Sequence, residues 1–165
     1  MAESKRQLRQ AQRWDDMWAQ VRGKLHDDDE LLWCGYITPA APIYETSAAR
    51  PTSAVINSVL GLIKKARHIG GEPDSIARSL SRDGTKIVAL SLSTSGLTWM
   101  QYSSSSPRVA HHVRMSDIEA IELRSRSRAG SKERLRFADG SFFDVGVTYS
   151  PPWGDLHAAF EKSRT

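Results

Sequence analysis

The chain has 165 residues, 39% apolar and 25% charged, with a formal net charge of +4. These are the values of a soluble globular protein with one domain large enough to bury a core. Cys34 is the only cysteine, which excludes an intrachain disulfide and a cysteine-based zinc site and fits a reducing cytosol. The longest apolar passage, 54–63, is interrupted by Asn57 and Ser58 and is too short for the roughly 20 apolar residues of a membrane span.

In chain order, residues 4–26 read as a helix. Leu8, Ala11, Trp14, Trp18, Val21 and Leu25 recur at three- and four-residue steps. The opening Met1-Ala2-Glu3-Ser4-Lys5-Arg6 leads into it without an apolar stretch, so no secretory signal is expected. The acidic run Asp27-Asp28-Asp29-Glu30 opposes the helix dipole and sets its end between Gly23 and His26. Leu31 to Thr38 is a first strand, closed by Pro39. Pro51 suits a helix's first turn, and Val55, Ile56, Val59, Leu62, Ile63 and Ala66 form the apolar stripe of a helix over 51–69. Gly70-Gly71-Glu72-Pro73 stops it, and 70–85 reads as mostly loop.

From Lys86 the period changes from helical to alternating. Strands are expected at 86–93, 97–103, 108–115, 117–126, 132–138 and 141–149, separated by turn signals of which Asp139-Gly140 is the strongest. Val109, His111, Val113 and Met115 should share one strand face. A closing helix is expected with Ser150 as N-cap, Pro151 as first residue, and Trp153, Leu156, His157 and Phe160 on one apolar face. One early strand, six late strands and a terminal helix define an α+β, mainly β, antiparallel barrel or sandwich.

That order, carried by Leu90 to Tyr102, Met115 to Leu123, the hairpin Leu135 to Val145 and the closing helix, resembles the small bacterial pleckstrin-homology-like proteins. The resemblance covers about residues 31–38 and 86–163. It implies a seven-stranded antiparallel barrel, partly open, with a C-terminal capping helix. To this the chain adds an N-terminal helical extension over 1–30 and a helix inserted between the first and second strands, within 40–85. Lipid-binding relatives hold inositol phosphates on the first two strands and their connection. Here that connection runs from Pro39 to Thr85 and contains a helix, so the resemblance implies a scaffold and transfers no headgroup site.

The most informative segment is the hairpin around Ala129-Gly130. Arg124, Arg126, Arg128, Lys132, Arg134 and Arg136 occupy alternate positions, so strand geometry places them on one face, with Leu123, Leu135 and Phe137 turned toward the core. Glu119, Glu122, Glu133 and Asp144 read as partial neutralisers. Six cations on one face suit an acidic protein or an anionic lipid surface. The bland alternative is a charged edge that prevents sheet-to-sheet aggregation. Nucleic acid is disfavoured because the hairpin offers few aromatics for base stacking.

A second candidate interface comprises Trp14 and Trp18 on the first helix with Ile56, Leu60, Lys64 and Lys65 on the inserted one. It would serve self-association into a homo-oligomer, or peripheral contact with the inner face of the membrane. His111 and His112 fall on opposite sides of a strand, the acidic run lacks the spacing of a calcium loop, and no G-x-S-x-G elbow or phosphate loop occurs. No catalytic residue, metal or cofactor is therefore expected. The sequence reads as a cytoplasmic, non-enzymatic binding module, with a structural or assembly role as the alternative.

Overall fold

The computed structural model describes residues 15–16, 18–25, 27–39, 68–82, 87–103, 106–127, 130–148 and 154–165. It is mostly β. The strands are β1 (Leu31–Pro39), β2 (Ile69–Gly70), β3 (Ile87–Ser93), β4 (Gly96–Ser103), β5 (Ser106–Arg114), β6 (Ile118–Arg126), β7 (Gly130–Phe137) and β8 (Phe142–Thr148). All described pairings are antiparallel, in the order β5-β4-β3-β1-β8-β7-β6, and β2 adds a short pairing to β8.

β1 belongs to two sheets. Its residues from Leu31 to Tyr36 pair with β3, and Ile37 to Pro39 pair with β8. The sheet is open rather than a closed barrel. β5 and β6 are its two ends and, though joined by the 3-10 turn Met115–Asp117, they do not pair with each other.

The main core lies between the sheets and includes Trp33, Leu90, Leu92, Leu97, Trp99, Ile121, Leu135, Phe137, Phe143 and Val145. Trp33 and Trp99 are fully buried. The Trp33 indole donates to the Gly154 carbonyl at 3.0 Å, tying β1 to the segment before the C-terminal helix. Gly35 makes room for that ring, since a Cβ there would lie 2.5 Å from it. The C-terminal helix, Leu156–Ser163, buries Leu156 and Phe160 over β1 and β6.

A second, smaller cluster lies on the other side of the β1–β3–β4 sheet. Val21, Trp18 and Leu25 of the N-terminal segment, helical at 18–22, pack there on Leu31, Cys34, Ala89 and Met100. Burial pushes the Cys34 thiol up to about 12, which leaves it inert at neutral pH.

Several expectations need correction. Residues 70–85 are not mostly loop, because Ile76–Arg82 is a helix that buries Ala77 and Leu80. Ile69 is not the last residue of the expected helix; it pairs with Phe143 as part of β2. His68, just before it, is helical as expected, and residues 51–67 lie outside the described residues. The C-terminal helix does not begin at Pro151. Gly154, with φ +67, and Asp155 precede its first residue, Leu156. Val109 leaves the face of Val113, because a register shift opposite Trp99 and Met100 turns it outward, 41% exposed.

The Ile76–Arg82 helix escaped the sequence reading because its first turn is satisfied from elsewhere. Asp139 Oδ2 accepts the Ile76 N–H at 2.7 Å, and Ser141 Oγ accepts the Ala77 N–H at 3.2 Å. Burial alone would raise the Asp139 carboxyl, but the Ser141 hydroxyl and the backbone N–H donors outweigh it and hold it below 3.8. Its stabilisation is therefore present above 3.8 and fades as pH falls through the lowered folded value. We expect Asp139→Ala to cost about 1–2 kcal/mol in chemical denaturation at neutral pH, the scale of a lost helix cap. Asp139→Asn, which keeps an acceptor oxygen, should cost less.

Candidate anionic-ligand interface

The β6–β7 hairpin is closed between Ser127 and Gly130. Ser127 N–H and Ser127 Oγ both donate to the Gly130 carbonyl, at 2.8 and 3.1 Å. Arg128 lies outside the described residues, as do Trp14, Ile56, Leu60, Lys64 and Lys65. Trp18 is described and is partly buried against this chain's own second cluster.

On β7 the alternation is regular. Ser131, Glu133, Leu135 and Phe137 are buried, while Lys132 is exposed and Arg134 and Arg136 are half-buried. On β6 it is not. The register shifts between Leu123 and Ser125, so that Leu123 faces Glu133, Ser125 faces Lys132 and Arg126 faces Ser131. One extra residue reverses the parity beyond it. Ser125, not Arg126, therefore shares the outer face with Lys132, and Arg126 turns to the helix side, where it ion-pairs with Asp155. Leu123 faces the core side but sits at the rim, 37% exposed. The single face of six cations is thus corrected to four described cations, Arg124, Lys132, Arg134 and Arg136.

These four are not equivalent. Arg134 grips Asp144 with both arms, Nε to Oδ1 at 2.7 Å and the second guanidinium nitrogen to Oδ2 at 3.0 Å. It also stacks 3.9 Å above the Phe142 ring, and its side chain is only 16% exposed. His68 Nδ1 lies 3.1 Å from the same Asp144. Burial pushes the Asp144 carboxyl up, but Arg134 and His68 more than cancel this and leave it below its ordinary value.

Arg136 Nε donates to Glu122 at 2.6 Å. Arg124 approaches Glu122 only to 3.6 Å and is 53% exposed. Lys132 has no carboxylate partner among the described residues. The acids thus hold the cations at the Glu122–Asp144 end and leave the tip end positive.

The buried acid is Glu133, and it does not neutralise the surface. It is fully enclosed, accepting from Ser131 Oγ at 2.6 Å and from the His157 N–H at 3.0 Å. Glu133 thereby caps the C-terminal helix, whose own Asp155 makes no side-chain cap bond. Its inward parity opposite Leu123 was the available sequence signal. Elsewhere, Asp29 of the acidic run accepts from Ser95 Oγ at 2.7 Å and Thr94 Oγ1 at 3.2 Å. His112 Nδ1 lies 2.9 Å from Thr98 Oγ1.

At the tip, a row of residues runs in register across four strands: Thr38 on β1, Gly146 on β8, Lys132 on β7 and Ser125 on β6. With Thr148, Gly130 and Ser127 they line an open groove of about 250 Å³. Among the described residues no helix is long and apolar enough to cross a membrane.

No protein-family model matches the chain, and no curated protein matches it. Among solved structures, it is similar to the hSac2 domain from the human phosphoinositide phosphatase Sac2. The likeness has 13% identity and a TM-score of 0.40, and covers 90% of this chain and 74% of that one. The expectation of a non-enzymatic protein is therefore not kept: a domain of a phosphatase stands among the structures the chain matches. At this level of likeness nothing about ligand or reaction passes from that protein to this one.

Two outcomes test the site's electrostatics. Arg134→Ala leaves a half-buried Asp144 without its main partner and should cost about 1–3 kcal/mol. Arg124→Ala should stay within about 0.5 kcal/mol, as exposed pairs do; denaturant unfolding of both variants checks the contrast.

Burial is the main cause of the raised Glu133 carboxyl, above its ordinary 4.5, and the Ser131 and His157 donors offset it only in part. A proton held more tightly in the folded state stabilises the fold below pH 4.5, and that contribution is lost as pH rises through the folded value. Glu133→Gln should therefore gain stability relative to the parent as pH rises from 4.5 toward neutrality. A difference independent of pH would contradict the burial assigned to this carboxylate.

Proposed function

We propose that the chain is a binding module of the pleckstrin-homology-like kind, which docks the tip of its β6–β7 hairpin on an anionic surface. That surface belongs to an acidic protein or to an anionic membrane, and the module works at the cytoplasmic side as a peripheral protein. What supports the scaffold reading is two antiparallel sheets sharing β1, with a helix following the last strand. What carries the docking reading is the uneven neutralisation of the outer hairpin face. Glu122 and Asp144 tie up Arg134 and Arg136, whereas Arg124 and Lys132 stay exposed toward the tip.

The arginines near the acids serve the sheet, and those near the tip serve the partner. Self-association remains the second reading, but Trp18, one of its anchors, packs on this chain's own core.

The test is Arg124→Glu combined with Arg128→Glu, which spares the buried Arg134 pair. Each cation near an anionic membrane contributes about 1 kcal/mol, so salt-sensitive binding to phosphatidylserine vesicles or to an acidic polypeptide should fall tenfold or more by this estimate. Unchanged binding to both would remove the hairpin tip from the function.

A further inference from the structure

We propose that the groove at the hairpin tip is a binding subsite for a phosphate-monoester group. The inference rests on the docking reading above and names the ligand chemistry of that surface. Four strands contribute to the groove. Lys132 supplies the charge, and Thr38, Ser125 and Thr148 supply exposed hydroxyls. No hydrogen bond within the described residues claims these hydroxyls or the Lys132 ammonium. The floor is kept low at Gly146, which lies in register between Thr38 and Lys132.

The donor set selects the ligand. A planar carboxylate is best served by the two-armed guanidinium fork, and the hairpin's well-placed fork, on Arg134, already holds Asp144. Lys132 and Thr38 instead flank Gly146 in register, one strand to either side of it, with Thr148 two residues along β8, in an open groove of about 250 Å³. That arrangement suits a tetrahedral oxyanion, whose several oxygens accept from different directions. A monoester phosphate carries close to two negative charges at neutral pH and gains more from a lone ammonium than a singly charged diester does. The groove lies on the same outer face as Arg124, toward the tip that the docking reading turns to a surface, so the source favoured here is a lipid whose headgroup is the phosphate monoester itself.

The experiment uses the full chain in two arms. Inorganic phosphate is titrated while amide resonances are followed. In parallel, flotation compares phosphatidylcholine vesicles containing phosphatidic acid with charge-matched ones containing phosphatidylserine. Phosphate should shift the amides of Ser125, Lys132 and Gly146, and the phosphatidic acid vesicles should retain more protein.

Lys132→Gln should weaken phosphate binding by about tenfold, the scale of one charged hydrogen bond. Gly146→Val should do the same by filling the floor with no change of charge. A Cβ at this position meets Thr38 only at 3.5 Å and beyond, so the variant should fold.

Phosphate shifts in the groove without a preference for phosphatidic acid support the site and assign it to soluble phosphate. The subsite is overturned if phosphate shifts nothing in the groove, or if Gly146→Val leaves both the shifts and the lipid preference intact. Phosphatidylserine binding that survives either overturning result keeps the docking reading, so the two failures are separable.

Discussion

β1 hydrogen-bonds to β3 through residues 31–36 and to β8 through residues 37–39, and within the described residues no other strand pairs with members of both sheets. Every feature of the candidate site is positioned from this strand. Trp33, on its first half, fills the core between the sheets and holds Gly154 ahead of the C-terminal helix. Thr38, on its second half, sets the register that brings Gly146, Lys132 and Ser125 into one row. An antiparallel strand alternates its faces with period two, so a one-residue slip of β1 against β8 would bury Thr38 and expel Ile37. The 4% exposure of Ile37 shows how firmly that register is specified.

Strand positions were legible in the sequence where alternation met a turn signal. All the strands but β2 lie within two residues of their expected ranges, because alternation of inward and outward residues meets turns that contain Gly, Asp or Ser. What was not legible has a common physical origin. The helix Ile76–Arg82 and the start of the C-terminal helix depend on acceptors supplied from the far side of the fold, by Asp139 and Ser141 in one case and Glu133 in the other. Local pattern reading looks for a cap within a few residues of the helix, and here the caps are 63 and 24 residues away.

The hairpin illustrates the other limit. A sequence that alternates cation and non-cation from Arg124 to Arg128 leaves open where a bulge will fall. A single unpaired residue at Arg124 is enough to send Arg126 to the opposite face. The consequence is a division of labour between arginines that look alike in sequence. Arg126 steadies Asp155 at the start of the C-terminal helix, while Arg134 bridges β7 to β8 and, through the shared Asp144, to His68 ahead of β2. Arg136 joins β7 to β6 through Glu122.

Such pairing answers the problem posed by a strand face crowded with like charge. Glu122 sits directly across from Arg134 and reaches Arg136, and Asp144 sits across from Arg134 on the other side. Cations that would repel one another are thus interleaved with acids over the inner half of the hairpin. The interleaving stops at Lys132, whose cross-strand neighbours are Ser125 and Gly146. If the charges served only to keep the sheet from pairing with other sheets, the edge strand β6 would be the place to concentrate them. Instead, among the described residues of the hairpin, the cation left without a carboxylate lies on β7, flanked by β6 and β8, with Ser125 and Gly146 across from it. Charge in that position does little to protect an edge, and this favours the docking proposed above over the purely protective role.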